Sequence, residues 1–86
     1  MAKQFLDVQV FWLPIEAEIF FEGKAKAISS KNRLGDFDIL PQHTNFISLI
    51  FENLTIITEE NKKITYQFER GVLETSQNQV KVFLGL

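Results

Sequence analysis

Lys63-Ile64-Thr65-Tyr66-Gln67-Phe68-Glu69 is the stretch that decides the fold. Apolar Ile64, Tyr66 and Phe68 alternate strictly with polar neighbours, the period-two pattern of a strand with one face buried and one face wet. A helix of the same composition would scatter these three side chains around its circumference.

The same period recurs outward from this segment. Val80, Val82 and Leu84 repeat it at the C-terminus, and Leu6, Val8, Val10 and Trp12 repeat it near the N-terminus. Shorter strands are expected over 15–22, 24–29, 37–40, 46–50, 54–58 and 72–75. Glu59-Glu60-Asn61-Lys62 and Ser76-Gln77-Asn78-Gln79 are short and polar, as hairpin loops should be. Pro14 interrupts the first apolar run, Pro41 ends the strand holding Ile39 and Leu40, and polar 29–35 reads as a longer loop. No segment sustains a helical period, and there is no linker and no internal repeat. Residues 1–86 therefore form a single all-β domain, a sandwich or small barrel.

Composition narrows the function. Net charge is −2 with Lys and Arg scattered, which lacks the basic footprint of a nucleic-acid binder and the polybasic patch that holds a protein to anionic lipid. There is no cysteine, so disulfide and thiolate chemistry are excluded. The longest apolar stretch, 10–15, is far too short to span a bilayer, and Asp7 and Gln9 occupy the place of a signal h-region, so the chain reads as cytoplasmic.

Catalysis finds little support. His43 is the single histidine, so a zinc site would rest on carboxylates almost alone, and no serine sits in a nucleophile-elbow setting. Asp36 and Asp38 would share one strand face; they read as a solvated edge or as an acid–base or cation-holding pair. No glycine-rich phosphate loop is present, since Gly23, Gly35, Gly71 and Gly85 are isolated. Nine Phe with Trp12 and Tyr66 are a heavy aromatic load for so small a domain. Val10-Phe11-Trp12-Leu13 and Ile19-Phe20-Phe21 are apolar on both strand faces. Those rings either thicken the core or cover a face that docks a partner.

One stretch carries more than pattern. Gly35-Asp36-Phe37-Asp38-Ile39-Leu40-Pro41-Gln42-His43 resembles the Gly-Glu-Phe-Gly-Ile-Leu-Pro-Gly-His signature of the epsilon subunit of F-type ATP synthases, called delta in mitochondria. Leu6-Asp7-Val8, Phe21-Glu22-Gly23, Gly71-Val72-Leu73-Glu74 and Asn78-Gln79-Val80-Lys81-Val82 resemble further motifs of that family, in order along nearly the whole chain. The resemblance implies a flattened sandwich of about ten short strands. It implies a non-catalytic rotor-stalk subunit that couples proton or sodium flow to ATP synthesis, without cofactor or metal. Its partners would be the gamma subunit and the membrane rotor ring, placing it peripherally on the cytoplasmic face of the inner (plasma) membrane. By that resemblance Asp36, Gln42 and His43 lie toward the ring, where an acid and an imidazole could bond polar loops. Without it, His43 reads as a turn residue bonding local backbone. Phe11, Trp12 and Phe21 are the candidates for the gamma interface. A free-standing β-sandwich adaptor or ligand-binding module is the alternative.

The chain departs from the family pattern at several points. Asp38 and Gln42 replace signature glycines, which predicts another loop path if those glycines serve positive φ. Glu69-Arg70-Gly71 stands for Ser-Gly-Gly, and Glu52-Asn53 for Pro-Gly. Most family members continue into a helical hairpin that can inhibit ATP hydrolysis, whereas this sequence stops at Leu86 after the last strand. The expectation is a domain lacking that hairpin, and with it any nucleotide site.

Overall fold

The computed structural model describes residues 5–86, folded into six strands without a helix: β1 (Leu6–Trp12), β2 (Glu18–Asn32), β3 (Gly35–Ile39), β4 (Phe46–Thr58), β5 (Lys63–Ser76) and β6 (Gln79–Leu84). The strand order is β1-β6-β5-β4-β2-β3, and β1 also pairs with β2, so the sheet wraps back on itself. All pairings are antiparallel except β1 with β6. The molecule is flat, 40 × 27 × 20 Å.

The all-β fold expected from the alternation is present, but with six strands in place of about ten. Three strands run 13 to 15 residues and each merges two of the expected short ones. The physical reason is the β-bulge, which bends a strand without ending it. The register shifts at Phe20 between β1 and β2, at Lys26 between β2 and β4, and at Glu69 opposite Phe51 and Glu52. Glu52 adopts φ 76° at that last bend. The bent strands therefore belong to both layers. The first layer is β2 (N-terminal half), β1, β6, β5 (C-terminal half) and β4 (N-terminal half). The second is β3 with the other halves of β2, β4 and β5.

The expected long loop over 29–35 is also corrected. β2 continues to Asn32, because Ser30 points inward and its hydroxyl donates to the Asn53 carbonyl at 2.7 Å. Buried without that bond, it would cost roughly 1–3 kcal/mol. Asn32 Oδ1 accepts the Leu34 N–H at 2.8 Å and Gly35 takes φ 121°, which closes a two-residue turn. At the β5–β6 hairpin, Gln77 (φ 51°) and Asn78 (φ 65°) both adopt positive φ, as a type I′ turn demands.

The core is aliphatic. Leu6, Val8, Val10, Ile28, Ile39, Ile50, Leu54, Ile56, Leu73, Val80, Val82 and Leu84 are the fully buried large side chains, and no aromatic joins them. The rings instead line the margins where the two layers part. Trp12 stacks on Phe20 at 5.5 Å, and Phe20 on Tyr66 at 5.6 Å, which links the two layers at one end. Phe37 and Phe46 meet edge-on at 5.5 Å between β3 and β4. Open margins leave space for large planar groups, whereas the thin centre accepts only branched aliphatics at interior density.

Candidate functional site

The two layers differ on their outer faces. On the second layer, Asp38, Ser29, Thr55 and Thr65 form one polar row by register. The Ser29 hydroxyl donates to Asp38 at 2.6 Å, and the Thr55 and Thr65 hydroxyls lie 3.1 Å apart. On the first layer, Ile19, Phe11, Phe83, Val72 and Leu49 are successive cross-strand partners on β2, β1, β6, β5 and β4. None is buried, and Phe11 stacks on Phe83 at 5.3 Å. A transverse apolar row thus crosses the whole first layer. The next row, Glu22, Gln9, Lys81 and Glu74, is polar until it reaches exposed Ile47 on β4. Exposed apolar surface bordered by polar residues marks a docking face.

The sequence singled out Phe11 and the Ile19-Phe20-Phe21 stretch, but not Phe83, Val72 and Leu49 as members of the same row. They come from separate strands, and register is what aligns them. The three expected interface aromatics do not form one patch. Phe11 and Trp12 are consecutive on β1 and point to opposite faces. Trp12 is half-buried against the core and stacked on Phe20; Phe21 lies opposite Val10 and packs on the core from inside.

The second expected contact set lies partly at one end of the sandwich. Leu40-Pro41-Gln42-His43 forms a turn closed by the His43 N–H donating to the Leu40 carbonyl at 3.1 Å. Pro41 stands at its second position and Gln42, at φ 70°, at its third, the type II geometry. Of the two residues that stand at the signature's glycine positions, Gln42 takes the left-handed conformation itself and Asp38 is ordinary strand. Asn78 holds the turn, its Oδ1 accepting the Gln42 N–H at 2.5 Å. The His43 ring donates from Nδ1 to the Thr44 carbonyl at 2.7 Å and packs edge-on to Phe46. That is the local-backbone geometry of a turn histidine, and among the described residues no hydrogen bond engages its Nε2. Asp36 is not beside them. It is exposed on β3 opposite Lys31, six residues before Gln42, up to ~20 Å along an extended chain. Asp36 and Asp38 do share a face, with Asp38 held by Ser29. Among the described residues, no group of three or more His, Asp or Glu gathers closely enough to hold a metal ion.

Comparison with known proteins gives one consistent result. The family model of the ATP synthase delta/epsilon chain, β-sandwich domain, matches residues 15–84. The ATP synthase epsilon chain of Clostridium novyi (strain NT) is 29% identical over 66 residues, covering 76% of this chain and 50% of that protein. The chain thus spans about half the length of that relative. Among solved structures, a chain of the Euglena gracilis mitochondrial ATP synthase (OSCP/F1/c-ring) superposes with a TM-score of 0.86 at 15% identity, over 98% of this chain and 52% of that one. A chain of the Tetrahymena thermophila mitochondrial ATP synthase central stalk and c-ring superposes at 0.64 and 13% identity, over 95% and 66%. These two likenesses establish the shared fold, and the family model covers most of the sequence: this chain belongs to the β-sandwich domain family of the ATP synthase delta/epsilon chain.

Proposed function

We propose that this chain is a non-catalytic central-stalk subunit of an F-type ATP synthase. It binds the gamma subunit and the membrane rotor ring and helps couple ion flow to ATP synthesis. Membership of the delta/epsilon family motivates the assembly, and the apolar row across the first layer carries the assignment of the docking face. Gamma binds the outer face of that layer, with Phe11 and Phe83 at the centre and Trp12 at the margin. Phe21 faces inward, so its substitution reports on folding as well as on docking. The polar turn holding Gln42 and His43 meets the ring loops, and Asp36 takes part only where the contact extends along β3.

The test is co-elution with the cognate gamma subunit on a sizing column, followed by titration calorimetry. A one-to-one complex is expected, weakened at least about tenfold by Phe11→Glu, which is about 1.4 kcal/mol of binding free energy. Thr65→Glu, on the polar outer face, leaves binding unchanged. Absence of a complex with folded wild-type chain overturns the stalk assignment, and unchanged affinity of folded Phe11→Glu overturns the choice of face.

A further inference from the structure

Among the described residues, the bent strands leave four edges without a strand neighbour: the outer flank of β3, the N-terminal half of β2, the N-terminal half of β5 and the N-terminal half of β4. An unpaired edge is a template for another strand, and proteins guard such edges with charge or proline. Three of the four are guarded in this way. β3 carries Asp36 and Asp38, β2 carries Glu18, Glu22 and Lys24, and β5 carries Lys63 and Glu69.

The fourth edge is Phe46-Ile47-Ser48-Leu49-Ile50-Phe51. It pairs with β5 on one flank, and pairing with β2 on the other begins only at Leu54. Residues 46–51 carry no charge and no proline; the charge on this flank is Glu52, set back at the bulge and paired with Lys31 at 3.0 Å. A groove of about 440 Å³ separates it from the turn at Asn32–Leu34. Ile47 is 66% exposed, and Leu34 is fully exposed across the groove.

We propose that the unassembled chain pairs this edge with the same edge of a second copy. The two-fold axis stands perpendicular to the sheet at Leu49, so that inner and outer faces stay in register. Leu49 then lies opposite Leu49 of the second copy. Ile47 lies opposite Phe51 of the second copy in both directions, an aromatic–β-branched pairing of the favoured kind, and Ser48 lies opposite Ile50.

The choice of a second copy follows from charge and from the apolar row. Self-pairing sets each edge against its own side chains. On β3 that brings Asp against Asp, whereas on 46–51 no like charges meet. A net charge of −2 per chain adds little repulsion at a distance. Leu49 also ends the row that begins at Ile19. Pairing about Leu49 therefore joins two such rows into one continuous apolar band. The proposal concerns the free chain and does not depend on gamma docking.

Sedimentation equilibrium from low micromolar to near-millimolar concentration tests it. The mass should rise from 10.0 kDa toward twice that value. Leu49→Lys, which sets two lysines face to face on the axis, should weaken the dimer at least about tenfold. Ile47→Lys, at a more exposed position, should act likewise should the first variant prove unstable. Amide exchange separates edge pairing from stacking of the apolar faces. At dimer concentrations the free-flank amides within 46–51 should gain protection. A wild-type chain that stays monomeric throughout overturns the proposal. So does a dimer untouched in both folded lysine variants, or one that leaves those amides exchanging freely.

Discussion

Gly71 lies in the middle of β5, where a strand ordinarily carries a side chain. Its cross-strand partners are Ile50 and Leu84, both fully buried. A Cβ at Gly71 would stand 2.6 Å from the Phe83 carbonyl oxygen, 3.0 Å from Leu84 Cδ2 and 3.4 Å from Ile50 Cγ1. The nearest atom belongs to the backbone of β6, which is paired on both sides by β5 and β1, so it cannot rotate away as a side chain would. Relief requires β5 and β6 to part until 2.6 Å becomes the 3.4 Å of ordinary contact. Overpacking of this kind costs about 1–3 kcal/mol. Loss of glycine's freedom in the unfolded chain returns about 0.4–1 kcal/mol. Gly71→Ala should therefore destabilise by about 1–2 kcal/mol. At about 4–8 °C per kcal/mol for a domain of this size, the melting temperature should fall by about 5–15 °C. Thermal and urea unfolding followed by circular dichroism measure this, with an unchanged urea slope showing that the same structure unfolds. Gly23→Ala is the internal control. Its Cβ would meet only the Phe21 ring, at 3.4 and 3.7 Å, so the variant should match or slightly exceed wild-type stability. A Gly71→Ala melting temperature at or above wild type would refute the reasoning, since no bond or charge has been removed.

Two further outcomes follow from local geometry. Gln42 occupies φ 70°, where a non-glycine residue bears about 1–2 kcal/mol of strain and glycine loses about 0.5–1 kcal/mol in entropy; Gln42→Gly should raise stability by about 0.5 kcal/mol, and a lower melting temperature would show that the Gln42 side chain matters more than its backbone. Burial raises the Tyr66 phenol above its ordinary pKa of 10.0, so the folded chain keeps that proton at a pH where the unfolded chain releases it. Stability from this group is complete below pH 10 and falls as pH rises beyond it. Tyr66→Phe, which also gives up the 3.1 Å bond to the Phe20 carbonyl, should flatten that alkaline fall in urea midpoints; an identical slope would assign the loss to other groups.

Period-two alternation determined, from sequence alone, the all-β class and the inward-facing sets Leu6/Val8/Val10 and Val80/Val82/Leu84. It did so because alternation is a local property of each strand. The polar stretches at 59–62 and 76–79 were legible as turns for the same reason. The Gly-Asp-Phe-Asp-Ile-Leu-Pro-Gln-His stretch determined the family resemblance, because linear order is all a motif needs. What alternation could not show was where one strand bends and continues. The bulges at Phe20, Lys26 and Glu69 depend on how two layers close over one core, so short segments that look separate become long strands. Nor could it show which faces remain open. Phe11 and Trp12 are equally apolar in sequence, yet one joins a row across five strands and the other seals a margin. The Phe46–Phe51 run likewise reads as ordinary core until β2 is seen to join β4 only from Leu54. Register between distant strands decides these matters, and it is set by the closure of the whole sheet, which no single segment encodes.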